Sequence, residues 1–211
     1  MIKKALFAGL VASTMAMTAH AATGFYAGVG AGIGGMNTND FSSDDNPYSN
    51  TSLRSGVTGR LALGYLTGEG NFNYGFELGA TGYPKNTYKL SAFSLTETYT
   101  GYMVDLLGVA KYSFSDSDRG FFVVGKAGAA YVHQKFKGSI TNVIEITSTK
   151  SAIKPELAVG AGYNFNKNVA VDMTFSHVFA GQANPDATTW GGLTKVSSVN
   201  TLLVGLNYSF S

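Results

Sequence analysis

The chain has 211 residues, about what one domain needs, with 15 Lys+Arg against 13 Asp+Glu. It has no cysteine, which excludes disulfide stapling, thiolate metal sites and thiol catalysis. Glycine, tyrosine and phenylalanine are abundant (27, 12 and 14 residues) and charges make up only 13%, a balance that suits alternating strands rather than long apolar helices.

The chain opens like a cleaved leader. Met1-Ile2-Lys3-Lys4 is a short basic stretch, Ala5 to Met17 is apolar, and Ala19-His20-Ala21 has the small-x-small pattern of a cleavage site. The expected layout is a signal peptide over residues 1–21 and a single barrel domain over 22–211. Without Lys3 and Lys4 the remainder holds 13 Lys+Arg against 13 Asp+Glu, so no basic nucleic-acid face is expected.

Period-2 alternation then recurs eight times, each run setting apolar or aromatic residues against small or polar ones. The first run sets Phe25, Ala27, Val29, Ala31 and Ile33 against Tyr26, Gly28, Gly30, Gly32 and Gly34. The second has Val57, Leu61, Leu63 and Tyr65 against Thr58, Arg60, Ala62 and Gly64. The third sets Phe72, Tyr74, Phe76 and Leu78 against Asn73, Gly75, Glu77 and Gly79. In the fourth, Tyr102, Val104, Leu106, Ala110 and Tyr112 oppose Met103, Asp105, Leu107, Val109 and Lys111, with aliphatics on both faces. The fifth has Val123, Ala127, Ala129 and Tyr131 against Val124, Lys126, Gly128 and Ala130. Leu157, Val159, Ala161 and Tyr163 against Glu156, Ala158, Gly160 and Gly162 make the sixth. Val169, Val171, Met173 and Phe175 against Ala170, Asp172, Thr174 and Ser176 make the seventh. The eighth sets Leu202, Val204, Leu206, Tyr208 and Phe210 against Leu203, Gly205, Asn207 and Ser209.

A soluble sandwich also alternates, so the charges decide. Arg60, Glu77, Asp105, Lys111, Lys126, Glu156 and Asp172 all fall on the second face. A soluble sheet puts such a face in water, whereas a membrane barrel turns it inward and shows the apolar face to lipid. Phe25, Tyr65, Phe72, Tyr112, Phe114, Phe121, Tyr163, Phe165, Tyr208 and Phe210 gather at one end of the strands, as an interfacial girdle does. Connections alternate too: short ones at 67–71, 115–120 and 166–168, and long ones at 37–53, 84–98, 134–154 and 180–195. The prolines lie in or beside the long connections, where no ladder N–H is lost. The expected fold is therefore an all-β, eight-stranded, antiparallel up-and-down transmembrane barrel.

From Gly24 to Phe210 the chain resembles the outer-membrane β-barrel family of small opacity-type and outer-membrane-protein-A-type barrels. The resemblance rests on the opening GFYAGVGAG, the strand pattern and the ending VGLNYSF, in which Gly205, Tyr208 and Phe210 match the family's assembly signal. Leu203 stands where a polar residue is usual, and Ser211 follows the terminal aromatic. The resemblance implies an outer-membrane location, export through a cleaved leader, and recognition by the barrel assembly machinery. It implies outer-membrane lipid and lipopolysaccharide as surroundings, and host surface molecules as candidate partners.

A turn centred near residue 69 places Tyr65 opposite Phe72 and Arg60 opposite Glu77. Inside a narrow barrel these charges are expected to form a structural network with Asp105, Lys111, Lys126, Glu156 and Asp172, since unpaired charges there are costly. The alternative for that interior is a gate or proton path in a narrow solute or ion pore. Gly30, Gly32 and Gly35 match G-x-G-x-x-G, but the following MNTNDFSSDDN is loop chemistry, so no nucleotide site is expected. Some barrels of this type modify lipid A, the deacylases through an H-x-S pair. His133 is followed by Gln134-Lys135 and His177 by Val178-Phe179, so that pattern is absent. Both rings suit the outer interface instead. Asp40, Asp44 and Asp45 lack EF-hand spacing. Trp190, between Thr189 and Gly191, suits either a partner contact or the membrane interface. No cofactor, metal or catalytic residue is expected. The leading expectation is a non-enzymatic surface protein, envelope-structural or adhesin-like through four extracellular loops. The alternatives are the narrow pore and, below it, the lipid A-modifying enzyme.

Overall fold

The structure, a computed structural model, describes residues 24–36, 55–90, 95–115, 117–140, 144–180 and 195–210. Residues 1–21, expected to be a leader, and Asp40, Asp44, Asp45 and Trp190 lie outside them. The regular elements are β1 (Gly24–Met36), β2 (Ser55–Glu69), β3 (Phe72–Leu90), β4 (Leu95–Ser113), β5 (Gly120–Ile140), β6 (Ile144–Asn164), β7 (Val169–Val178) and β8 (Val199–Ser209). Each pairs antiparallel with the next, and β1 pairs with β8 to close the barrel. Near the seam the Phe210 N–H donates to Phe25 O at 2.9 Å. Closure removes the unpaired edge that hydrocarbon would not tolerate.

The two faces follow the alternation. Leu61, Leu106 and Val159 are 65%, 58% and 64% exposed on the outside, while Glu77 and Asp105 are each 1% exposed on the inside. The girdle aromatics pack edge to face along the short-turn end, as Phe25 with Tyr65 and Phe121 with Tyr163, each at 5.0 Å. In barrels of this type that end faces the periplasm.

Two expectations change. Glu69 pairs with Phe72 across a two-residue turn, so Tyr65 faces Phe76, Gly64 faces Glu77 and Arg60 faces Thr81. The turn sits at Gly70-Asn71 because Gly70 takes φ 59°, open to glycine at no steric cost. The pairing therefore shifts by an even number of residues and the inward face is kept.

The expected loops at 84–98 and 134–154 are largely strand, since β3 runs to Leu90 and β4 starts at Leu95, while β5 runs to Ile140 and β6 starts at Ile144. β-branched and aromatic residues such as Thr98, Tyr99, Phe136, Thr147 and Thr149 keep the backbone paired there. The apolar period fades because these rows have left the hydrocarbon, so their outward face is no longer greasy. Pro84 lies in the register shift between Tyr83 and Asn86. Pro155 sits inside β6, and its carbonyl accepts from the Phe179 N–H at 2.9 Å. Its missing donor therefore points to the side where β7 has ended, and the ladder with β5 loses nothing.

Candidate functional site

The barrel interior is stacked in layers. Toward the extracellular end, Met36, Met103, Ala130, Val132, Val178, Val196 and Val199 form an apolar layer. Above it the rings of Tyr99 and Phe136 lie 5.0 Å apart. Gln134 closes that level by accepting from the Ser197 N–H at 3.0 Å and donating to Ser197 O at 3.3 Å.

Below the apolar layer lies the ion cluster. Arg60 forks onto Asp105, Nη1 donating to Oδ2 at 2.6 Å and Nη2 to Oδ1 at 2.7 Å. Nη2 also donates to Glu77 Oε1 at 3.0 Å, and Nη1 to Thr81 Oγ1 at 3.0 Å. Lys126 Nζ donates to Glu77 Oε1 at 2.9 Å and to Oε2 at 2.7 Å. Tyr26 adds its hydroxyl to Oε2 at 2.6 Å. Two cations thus meet two carboxylates, a neutral cluster suited to a low dielectric. It ties β1, β2, β3, β4 and β5 across the interior. Arg60 reaches Glu77 although the two are not directly opposite, because a long side chain covers the diagonal offset.

Glycines make room for this. A Cβ at Gly79 would lie 2.1 Å from Arg60 Nη2, and one at Gly64 would lie 2.4 Å from the Tyr26 ring.

The other expected members stay apart. Lys111 donates to Asn164 Oδ1 at 2.9 Å and lies 4.0 Å from the centre of the Phe122 ring. Asp172 accepts from Asn207 Nδ2 at 2.9 Å. Glu156 is buried, and its Oε2 has no partner among the described residues. None of these three joins an ion pair among the described residues. A gap of about 40 Å³ separates Glu156 and Asp172 from the cluster, enough for a few waters at roughly 10–15 Å³ each. Toward the short turns the interior opens into a polar vestibule of about 410 Å³, lined by Asn73, Lys111, Asn164, Asp172 and Asn207 among others.

Tyr26 was missed as a cluster member by sequence reasoning. The available signal was one large ring on a face otherwise made of glycine. Ser151 was missed as well. It lies across the strand pair from His133, whose Nδ1 is 2.8 Å from Ser151 Oγ, on the outward face. The His133 ring stacks on Tyr102 at 4.8 Å, and His177 Nδ1 lies 2.7 Å from Asn200 Oδ1. On β8, Gly205 faces inward beside Asp172, while Tyr208, and Phe210 just past the strand's end, face outward with rings 5.2 Å apart.

A charged, filled interior inside an apolar, aromatic-girdled exterior is the arrangement of a lipid-embedded barrel, and the family comparison agrees. The sequence model described as "outer membrane protein beta-barrel domain" matches residues 5–210. The chain belongs to this family. Like the rest of the outer membrane protein β-barrel family, it is an integral protein of the outer membrane, and its strands make the crossing. An uncharacterized protein of Coxiella burnetii is 28% identical over 195 residues, covering 79% of this chain and 73% of the relative. Ail, the attachment invasion locus protein of Yersinia pestis, solved in complex with the heparin analogue sucrose octasulfate, superposes with a TM-score of 0.52. It is 14% identical, over 89% of this chain and 98% of Ail. Neisserial surface protein A is 21% identical, with a TM-score of 0.46 over 90% of this chain and 99% of that one. At such identities the likeness is one of fold, and function has to be argued from the site.

Proposed function

We propose that this barrel is a non-enzymatic surface protein. It serves as a plugged anchor that contributes to envelope integrity, and it meets outside molecules through its extracellular hairpins and loops. The observation that carries this reading is the neutral Arg60–Glu77–Asp105–Lys126 cluster beneath the apolar Met103–Val132–Val199 layer. Among the described residues they leave no wide water path above the vestibule, which speaks against solute passage. In this reading the cluster is structural, and Lys111, Glu156 and Asp172 serve the packing and hydration of the levels around it. Gly205, Tyr208 and Phe210 on the last strand serve as the signal read by the barrel assembly machinery.

Two hairpins that outgrow β7 and β8, together with the 37–54 and 181–194 segments, give the protein its extracellular material, Trp190 included. Loops on a rigid scaffold are where binding concentrates. Because the fold resembles that of Ail, which was solved with a heparin analogue, a sulfated polysaccharide is a sensible first probe of host contact. Intact cells carrying the full chain should bind such a probe or host cells, and shortening the β5–β6 hairpin or the 181–194 segment should abolish that binding. In planar bilayers the purified protein should show no steady single-channel currents. Steady currents that disappear in Glu77→Ala would overturn the anchor reading in favour of the narrow pore.

One observation favours a second reading, a lipid A-modifying enzyme: the His133–Ser151 pair on the outward face. Against it, no carboxylate holds the imidazole among the described residues, so the third member that orients a catalytic histidine is not seen there. Expression should leave the mass of lipid A unchanged. A mass change that is lost in both His133→Ala and Ser151→Ala would establish the enzyme instead.

A further inference from the structure

Beyond that reading, and independent of it, the vestibule at the short-turn end holds two opposite charges that do not meet. Lys111 on β4 and Asp172 on β7 both line it, three strands apart, and among the described residues no ion pair joins them. Each is backed by an amide instead. Lys111 Nζ donates to Asn164 Oδ1 at 2.9 Å and lies 4.0 Å from the centre of the Phe122 ring, while Asp172 Oδ2 accepts from Asn207 Nδ2 at 2.9 Å. An ammonium has three donors and a carboxylate about four lone-pair sites, so both keep capacity for a ligand. Bare glycines make room for the pair: a Cβ at Gly205 would lie 2.7 Å from Asp172 Oδ1, and one at Gly162 would lie 2.4 Å from the Phe122 ring. The other charges lining the space are otherwise engaged. Lys126 and Glu77 at its inner end pair with each other, and Lys167 and Asp118 at its mouth stand exposed in water. Asn73 completes the set. It faces Lys111 across the β3–β4 ladder, is 2% exposed, and lines the vestibule with an Oδ1 that has no hydrogen-bond partner among the described residues.

A space of about 410 Å³ is the size of a small-molecule site, about 300–1,000 Å³. A simple anion would be drawn by Lys111 and repelled by Asp172, and a simple cation the reverse. A neutral sugar would take water from both charges and give neither a counter-charge. A zwitterion answers both. Asn73 narrows the choice, because a free acceptor beside the cation calls for an N–H next to the ligand's carboxylate, which is where the last peptide bond of a chain places one. We infer that the vestibule is a binding site for a short peptide with free ends. Its carboxylate meets Lys111, its last peptide N–H donates to Asn73 Oδ1, and its ammonium meets Asp172.

The test uses the full chain in phosphatidylcholine nanodiscs, titrated with alanyl-alanine and followed through the side-chain amide NMR signals of Asn73, Asn164 and Asn207. These signals should shift and saturate with the free dipeptide and stay put with its N-acetylated, C-amidated form. Lys111→Met and Asp172→Asn should each weaken binding about tenfold, the usual worth of a hydrogen bond to a charged group. Asn73→Val should weaken alanyl-alanine and leave the weaker binding of free alanine unchanged. The blocked peptide needs no variant, so it decides even where a substitution unfolds the barrel. Absence of any shift at millimolar alanyl-alanine would overturn the assignment, as would equal binding of the blocked form. Glucose shifting the same signals as strongly would give the site to polyols. Alanine binding as tightly as the dipeptide would give it to free amino acids, leaving Asn73 without its role.

Discussion

Glu77→Ala should lower the unfolding free energy of the barrel by about 3–5 kcal/mol, the range for removing one partner of a buried ion pair. Glu77 is the hub of the interior, accepting from Tyr26, Arg60 and Lys126. Its loss leaves the mostly buried Lys126 ammonium and Tyr26 hydroxyl with no protein acceptor at the inner end of the vestibule. Arg60 keeps its fork on Asp105, so the cost falls mainly on Lys126. A urea titration of the protein folded in phospholipid vesicles, followed by heat-modifiable gel mobility, measures the change. Glu77→Gln, which keeps the shape and one acceptor, should cost less. Combining Glu77→Ala with Lys126→Ala should cost less than the two losses added, because the second removes the charge stranded by the first. A cost below about 1 kcal/mol for Glu77→Ala would fit an exposed pair and mean that water reaches the cluster.

Leu106→Arg probes the opposite surface. Leu106 is outward, between Leu78 and Ala129 on the neighbouring strands and level with the ion cluster inside. At that depth an arginine on the lipid face should cost about 2–4 kcal/mol, falling to about 0–1 kcal/mol for Val57→Arg near the membrane surface. The depth dependence is the informative part. Were this outward face of the barrel in water instead of lipid, both substitutions would be close to neutral. The same vesicle titration gives the two values.

Much of this barrel was legible in the chain. Period-2 patterning in runs such as Phe25 to Ile33 and Leu202 to Phe210 settled strand number and facing, since the pleat sends successive side chains to opposite sides. Seven charges of one parity and ten aromatics at one end then settled which side meets lipid. The register of β2 against β3 was not legible, because it hangs on the backbone angle of Gly70 and so on where the turn falls. The upper parts of the β3–β4 and β5–β6 hairpins were hidden too. Once a strand stands in water on its outer side, the apolar period that reveals it disappears while its hydrogen bonds persist. Which charges would pair was decided only by closure. Lys126 on β5 and Tyr26 on β1 converge on Glu77 of β3 because the barrel folds distant strands around one narrow axis, and a one-dimensional pattern carries no distance across that axis.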